Sequence, residues 1–294
     1  MIYQKSLGRK VFEACNYTFL AILTFLCFMP MLQVLAVSLS SSTAAQAGKV
    51  VLWPVEFTFK AYSFVAAKPE FLLSLLMTGY RELLAVPISM LLTVLLAYPL
   101  SKESSEFRFR TLYVWIFVFT MLFQGGLIPT YILIQKLGLL NSVWSLVLPH
   151  AVPIFNVILL LNFFRGIPKE LLEAAYIDGA SHMQTMWRIV LPVSVPAIAT
   201  VGLFTAVSHW NAWFDGIIYM NDTNRYPLSS YLQTVIVQRD LSTISASELA
   251  ELDNISDRTV RAAQVFLGAL PILLVYPFLQ RYFMKGIVMG SVKE

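Results

Sequence analysis

The chain has 294 residues, of which 57% are hydrophobic and only 13% charged, and its mean hydropathy is +0.69. Soluble domains have about half hydrophobic and about a quarter charged residues, so this composition excludes an ordinary soluble domain and indicates an integral membrane protein. The formal net charge of +4 is ordinary for a membrane protein with basic cytoplasmic loops, so it gives no reason to expect a nucleic-acid partner.

Apolar segments of about 20 residues, long enough to cross a bilayer as helices, recur along the chain. The sequence therefore predicts an all-α integral membrane protein with six transmembrane helices. In chain order the spans are expected at about 17–37, 83–100, 112–134, 143–164, 193–220 and 262–283.

The two ends of the chain are polar enough to lie outside the bilayer. Residues 1–16 mix basic and apolar positions, which predicts an N-terminal cytoplasmic or interfacial segment. Residues 17–283 are expected to form a single transmembrane domain, and residues 284–294 a cytoplasmic tail. Cys15 and Cys27 are separated by roughly 18 Å along the first helix, too far apart for a disulfide.

Two charges, Arg81 and Glu82, interrupt the second apolar segment. A charge at the bilayer centre costs about 2.5–3.5 kcal/mol, so we place the span after them, at 83–100. Residues 71–80 are then expected at the outer interface, with Arg81 reaching water rather than lining a pore. In the third span, residues 124–131 contain two glycines and a proline and predict a break in the helix.

Two long polar segments, residues 38–70 and 221–261, are expected to be external loops. Six spans place both termini on the same side as the connection between the fourth and fifth spans. Lys and Arg are denser on that side, as expected for the cytoplasm, although Arg258 and Arg261 run against this bias. The sequence predicts that both termini are cytoplasmic.

No pattern of enzyme or metal chemistry is found in the sequence. It lacks the Gly-x-x-x-x-Gly-Lys-Ser/Thr phosphate loop and the His-Glu-x-x-His helix, and its two cysteines do not have zinc-site spacing. Three histidines, His150, His182 and His209, are far apart in the sequence. We therefore predict neither an ATPase, nor another enzyme, nor a metal site.

The polar stretch at residues 166–192 separates the fourth and fifth spans. An early proline and two glutamates favour a short helix at 168–177. Gly179 can adopt the backbone angles that end a helix, and a second helical run begins near Ser181. The sequence predicts a helix–turn–helix outside the membrane, a shape suited to docking in a partner's cleft.

This stretch resembles the EAA loop of ABC-importer permeases, and we call residues 166–192 the EAA loop. The matching positions are Glu173, Ala174, Ala175, Gly179, Ile189, Leu191 and Pro192, with Trp187 where the family usually has Phe. Residues 121–131, 136–139 and 209–215 are similar to the LplC-like branch of MalG-type carbohydrate permeases. The resemblance covers nearly the whole chain.

The resemblance implies the type I ABC importer permease fold in a bacterial cytoplasmic membrane. It implies one of two non-identical permeases, paired with an LplB-like subunit, two ATP-binding cassette subunits and an external solute-binding protein that delivers oligosaccharides, some from acidic polysaccharides. This chain would contact membrane lipid but bind no cofactor, because ATP and Mg would be used by the partner ATPase. The residues implied in coupling to that ATPase are Glu173, Ala174, Ala175, Asp178, Gly179 and Ala180.

A candidate substrate pathway lies near the end of the fifth span. His209, Trp210 and Trp213 would be neighbours on a continuous helix, and Asn211 and Asp215 would share an adjacent face. Aromatic rings pack against the C–H faces of a sugar, and polar side chains pair with its hydroxyls. The equally weighted alternative is an interfacial aromatic belt, or packing against a partner permease.

Two other functional classes remain open from the residues alone. The chain could be a secondary carrier or a non-transporting membrane scaffold. A carrier built from inverted repeats should show related halves and ionisable residues within the membrane, and we find neither in the sequence.

Overall fold

A computed structural model describes residues 7–237 and 257–291, and the following account is restricted to them. Within these ranges the chain forms helices joined by short connections, with no β-strand. The all-α class is confirmed. Much of the expected external loop 221–261, and the first and last residues of the chain, lie outside the described residues.

The α-helices are numbered in chain order. They are α1 (Leu7–Ser38), α2 (Ser42–Gln46), α3 (Lys60–Ala67), α4 (Pro69–Ser101), α5 (Arg110–Leu122), α6 (Leu127–Lys136), α7 (Val143–Val147), α8 (Ile154–Arg165), α9 (Lys169–Ile177), α10 (His182–Thr185), α11 (Leu191–Val193), α12 (Val195–Asn211), α13 (Phe214–Tyr219), α14 (Leu228–Val237) and α15 (Asp257–Ser291). A 3₁₀ turn follows α7, and a π-helical segment, Met186–Val190, joins α10 to α11.

Among the described residues, α1, α4 and the stretch Asp257–Val275 of α15 are each long and apolar enough to span a membrane. Three bent pairs also qualify when each is counted as one span. The pairs are α5 with α6, bent by 107°; α7 and its 3₁₀ turn with α8, by 46°; and the helical stretch His182–Val193 with α12, by 84°. This gives up to six spans, and the number six itself stays a prediction.

The predicted break in the third span is confirmed. Helix α5 ends at Leu122, and α6 begins after Gly126, whose φ of +89° suits a residue without a side chain. Helix α1 is continuous from Leu7 to Ser38, with no break at residue 16. The boundary between an N-terminal interfacial segment and the transmembrane domain stays a prediction. Cys15 and Cys27 are free and exposed on it.

The chain forms two compact units, the first made of Met1–Pro69 and Val235–Ala269. In this unit the end of α1 packs against α2 through Ala36, Val37 and Ala45. The guanidinium of Arg258 donates to the Ala45 carbonyl at 3.0 Å. Most of α1 is exposed in the isolated chain, as expected for a helix that faces lipid.

The second unit, Glu70–Thr234 with Leu270–Glu294, contains most of α4. Small and hydroxyl side chains recur on α4 at four-residue spacing and are buried, while its leucines are mostly partly or fully exposed. The buried stripe is Ser74, Thr78, Ala85, Ser89, Thr93 and Ala97. Lipid is as apolar as leucine, so helices in membranes associate through close packing of small residues rather than through burial of large apolar ones.

The largest cluster of buried apolar residues joins the end of α4, α8, the π-helical segment and α12. It includes Val94, Leu160, Met186 and Val201. Since Met186 lies in the EAA loop, this cluster fixes one end of the loop against the membrane-spanning helices.

Candidate functional site

The EAA loop folds as the predicted helix–turn–helix. Helix α9 ends at Ile177, and Gly179 has a φ of +78°. The N–H of Ala180 donates to the Ala175 carbonyl at 2.9 Å, and the N–H of Gly179 donates to the Tyr176 carbonyl at 3.0 Å. These two bonds define a Schellman motif, in which the residue with positive φ is usually glycine.

The second arm of the loop begins at Ser181, as predicted. The Ser181 hydroxyl accepts from the N–H of Gln184, and the Gln184 side chain accepts from the N–H of Ser181, forming a capping box. After α10 the helix widens to π geometry, and its direction changes by 84° between His182–Val193 and α12. The loop therefore meets the fifth span at a sharp bend.

The residues implied in coupling do not all face outward. Glu173, Ala174, Asp178 and Gly179 are exposed and Ala180 is half-buried, whereas Ala175 is 6% exposed. The inward face of α9 carries Leu172, Ala175 and Tyr176, which are neighbours at three- and four-residue spacing. Ala175 therefore packs within this chain. The coupling role implied for it and for the other five residues stays a prediction.

Several large apolar side chains of the EAA loop are exposed, in contrast to the small side chain of Ala175. Ile177 is 86% exposed, and Leu171, Met183 and Trp187 are also exposed. The sequence predicts that this loop lies outside the membrane, where exposed apolar residues in one short segment would indicate an interaction surface.

A charged cluster is buried in the second unit, and we call it the Arg81 cluster. The Arg81 side chain is 0% exposed, and its Nη2 lies 2.5 Å from Asp215 Oδ2. Its two Nη atoms also donate to the carbonyls of Leu146 and Ala212, each at 3.3 Å. The Nδ1 of His209 lies 3.5 Å from Nη2 and must accept, because arginine only donates.

The expectation that Arg81 reaches water at the interface is wrong. Residues 71–80 and 83–100 belong to one helix, α4, and Arg81 points into the protein. The expected insertion cost applies to a charge without partners. Here a carboxylate and two carbonyls replace water around the guanidinium, and such charge-assisted bonds are stronger than neutral ones.

The fifth span is broken where the Arg81 cluster forms. Helix α12 ends at Asn211, Ala212 is extended with ψ of 117°, and α13 begins at Phe214. Side chains that are distant in the sequence donate hydrogen bonds to the backbone carbonyls at this break. Arg81 binds the Ala212 carbonyl, and the hydroxyls of Ser229 and Ser230 donate to the carbonyls of Trp210 and Trp213 respectively.

The five candidate pathway residues are therefore not arranged as on a continuous helix, and that part of the prediction is wrong. His209 and Asp215 are buried around Arg81. Trp210 is half-buried, whereas Asn211 and Trp213 are exposed. A role for these five residues in a substrate pathway stays a prediction.

Among the described residues, no group of three or more His, Cys, Asp or Glu side chains could hold a metal ion. The rings of His150 and His209 lie 6.5 Å apart and edge-on to each other. Of these two histidines, His209 also lies within hydrogen-bond distance of Arg81.

Comparison with known proteins identifies the family to which this chain belongs. Residues 2–288 match the family model described as the binding-protein-dependent transport system inner membrane component. The chain belongs to this family. It is therefore a membrane-embedded permease component of a transport system, and the carrier and scaffold alternatives are not supported. Arg81 and Glu82, which the sequence analysis placed outside the second span, both lie within α4, a helix long and apolar enough to span a membrane.

Two curated relatives from Bacillus subtilis (strain 168) match nearly the full chain. The polygalacturonan/rhamnogalacturonan transport system permease protein YtcP is 37% identical over 97% of this chain and 99% of its own length. Protein LplC is 37% identical over 97% of this chain and 95% of its own. These matches confirm the resemblance to the LplC-like branch.

A solved structure shares the fold. One chain of a bacterial ABC transporter involved in the import of the acidic polysaccharide alginate superposes with a TM-score of 0.86 at 32% identity, covering 95% of this chain and 99% of that one. A chain from an alginate ABC transporter in complex with an alginate pentasaccharide-bound periplasmic protein has a TM-score of 0.53 at 17% identity. The ABC importer permease fold is confirmed.

Proposed function

We propose that this chain is one of two non-identical permeases of an ATP-driven importer that takes up acidic oligosaccharides delivered by an external solute-binding protein. The proposed substrate class is supported by the near full-length similarity of this chain to a galacturonan-system permease and to an alginate importer chain. Polygalacturonan, rhamnogalacturonan and alginate all contain sugar acids, so their fragments carry carboxylates. The family itself requires a binding protein.

The EAA loop is the proposed contact with the ATPase subunit. Its exposed apolar side chains, including Ile177 and Trp187, would enter a cleft of that subunit, and Glu173 is exposed and available to a basic partner. Each permease of the pair would contact one of two ATPase subunits. ATP and Mg would be bound there and not by this chain, which has no phosphate-loop pattern.

We expect the EAA loop and both termini to be cytoplasmic. In a background lacking Cys15 and Cys27, an impermeant thiol reagent added to intact cells should label Lys49→Cys and leave Ser104→Cys unlabelled. Both positions are exposed in the chain, so permeabilised cells should label both and serve as the control. Labelling of Ser104→Cys from outside intact cells would reverse the proposed orientation.

The function is tested on the intact complex reconstituted in lipid vesicles with its binding protein. Oligogalacturonates, rhamnogalacturonan fragments and alginate oligosaccharides are offered in turn, with neutral maltooligosaccharides as the matched control. We expect one of the acidic series to stimulate ATP hydrolysis and to accumulate in the vesicles. Stimulation by the neutral series alone would contradict the proposed substrate class, and uptake without ATP would contradict the proposed energy source.

A further inference from the structure

Lys102 follows the last residue of α4, where the sequence suggests a solvated cytoplasmic charge, yet its side chain is only 9% exposed. Its ammonium lies 2.6 Å from the Tyr176 hydroxyl and 5.1 Å from the ring centres of both Tyr98 and Tyr176. Glu106, at 3.4 Å, is the nearby carboxylate. Burying a cation is unfavourable unless partners replace water, and here two aromatic faces, a hydroxyl and a carboxylate do so.

The Tyr176 hydroxyl connects three elements of the chain. Lysine only donates, so this oxygen accepts from Lys102 and can donate its own hydrogen to another partner. His182 Nδ1 lies 3.1 Å away, in position to accept that hydrogen. Since Tyr176 lies in α9 and His182 opens α10, one phenol ties both arms of the EAA loop to the end of α4.

The first residue of α9 makes a second attachment to the same segment. The Lys169 ammonium pairs with the carboxylate of Glu103, the residue after Lys102. The hydrogen bond between them lowers the pKa of Glu103 and raises that of Lys169. Both side chains are mostly exposed, so this pair is weak and screened by salt.

Two attachments to one helix restrict its orientation as well as its position. Lys169 and Tyr176 are seven residues apart, which is roughly 10 Å along α9. Their partners are the adjacent residues Glu103 and Lys102. Helix α9 therefore cannot pivot about one contact without breaking the other.

Arg81, in the first half of α4, lies at the break in the fifth span. Arg81 lies roughly 30 Å along the helix from Lys102, and it binds Ala212 and Asp215 where α12 gives way to α13. One continuous helix thus touches the EAA loop at its end and the broken span at Arg81.

We infer that Lys102 is a positioning residue that fastens the EAA loop to α4, so that displacement of the loop by the ATPase moves α4 and, through Arg81, the broken span. This inference rests on the proposed function, because it takes the EAA loop to be the contact with the ATPase. Lys102, a buried lysine outside the EAA loop, would transmit the movement of the loop to α4.

The test compares Lys102→Met with Arg108→Met in the complete reconstituted importer. Both changes remove one positive charge from the same connection, but Arg108 is exposed. We expect Lys102→Met to lower the cargo imported per ATP hydrolysed by about threefold to tenfold, which lies within the range of mutations that alter coupling between sites. Arg108→Met should keep the parental ratio, and ATPase subunits should co-purify with both variants.

Two further variants keep the inference falsifiable if Lys102→Met does not assemble. Tyr176→Phe keeps the ring and removes the hydroxyl, and it should also lower the ratio, while Lys102→Arg should restore part of it because it keeps a cation over the two rings. A parental ratio in Tyr176→Phe, or equal losses in Lys102→Met and Arg108→Met, would overturn the inference. An unmodified complex without cargo-stimulated ATP hydrolysis would instead contradict the proposed function.

Discussion

Replacing Asp215 by asparagine is expected to destabilise the protein by about 3–5 kcal/mol, the cost of leaving a buried charge without its partner. The asparagine side chain has nearly the same shape as aspartate, so the effect would come from the lost charge and not from a cavity. The Arg81 guanidinium would keep its bonds to the carbonyls of Leu146 and Ala212 but would lose its only carboxylate partner among the described residues. The measurement is the thermal stability of the detergent-solubilised complex, followed by its elution profile after heating.

The matched control is Asp222→Asn. Asp222 lies 3.9 Å from Arg225, and both side chains are about half exposed. It also caps the N–H of Asn224, a role that an asparagine oxygen can take over. We expect a loss of about 0–1 kcal/mol at this exposed pair.

A double variant measures the interaction between Arg81 and Asp215 apart from their interactions with neighbouring groups. Arg81→Met combined with Asp215→Asn should cost less than the sum of the two single changes, by about 0.5–3 kcal/mol, because neither member of the Arg81–Asp215 pair is then left charged without the other. It should not be neutral, since the carbonyls of Leu146 and Ala212 lose their donor. Strictly additive losses, or an unchanged melting temperature in Asp215→Asn, would contradict the account of the Arg81 cluster.

The elements that could be predicted from the sequence have local causes. The turn of the EAA loop depends on Gly179 and the cap on Ser181, each acting within a few residues of its own position. The break between α5 and α6 depends on Gly126. In each case the residue type restricts the backbone directly, and no distant partner is needed.

The Arg81 cluster could not be predicted in the same way because its partners are distant in the sequence. No glycine or proline marks the break at Ala212, so the apolar run 193–220 gives the appearance of one helix. The break exists because Arg81 binds carbonyl and carboxylate groups more than a hundred residues away. The one available indication was an arginine within an apolar segment, which in membrane proteins has a partner or a function more often than a path to water.

The burial of Ala175 and Lys102 was missed for a related reason. The motif identifies which residues belong to the EAA loop but not which side of α9 packs inward. That side is set by the contact of Tyr176 with Lys102 and by the packing of Leu172, both made with elements outside the loop.

Replacing Gly179 by arginine is expected to abolish transport while leaving membrane insertion intact. Apart from its two chain neighbours, no described residue lies within 4 Å of a β-carbon added at Gly179, so the described part of the chain shows no internal clash. The φ of +78° at Gly179 would cost an L-residue about 1–2 kcal/mol, which a folded protein can tolerate. The larger effect would come from a bulky charged side chain at the exposed turn that we propose to dock on the ATPase.

The chain offers a matched control for this prediction at the end of α6. Gly138 has a φ of +68°, a β-carbon there would also meet nothing within 4 Å, and its N–H bonds to the Gln135 carbonyl as that of Gly179 does to Tyr176. Leu139 completes the same Schellman motif by donating to Ile134. Gly138→Arg therefore has a similar backbone cost at a site outside the EAA loop.

The two arginine variants separate backbone strain from docking. We expect similar losses of thermal stability in both variants. Only Gly179→Arg should lose the ATPase subunits on purification and lower uptake by more than about tenfold. A tenfold loss is equivalent to about 1.4 kcal/mol of docking free energy. Gly179→Asn, which tolerates positive φ at lower cost, should retain the turn and recover part of the transport. If Gly138→Arg and Gly179→Arg reduce uptake equally while the ATPase stays bound in both, the turn at Gly179 serves only the fold of this chain, and docking depends on other residues of the EAA loop.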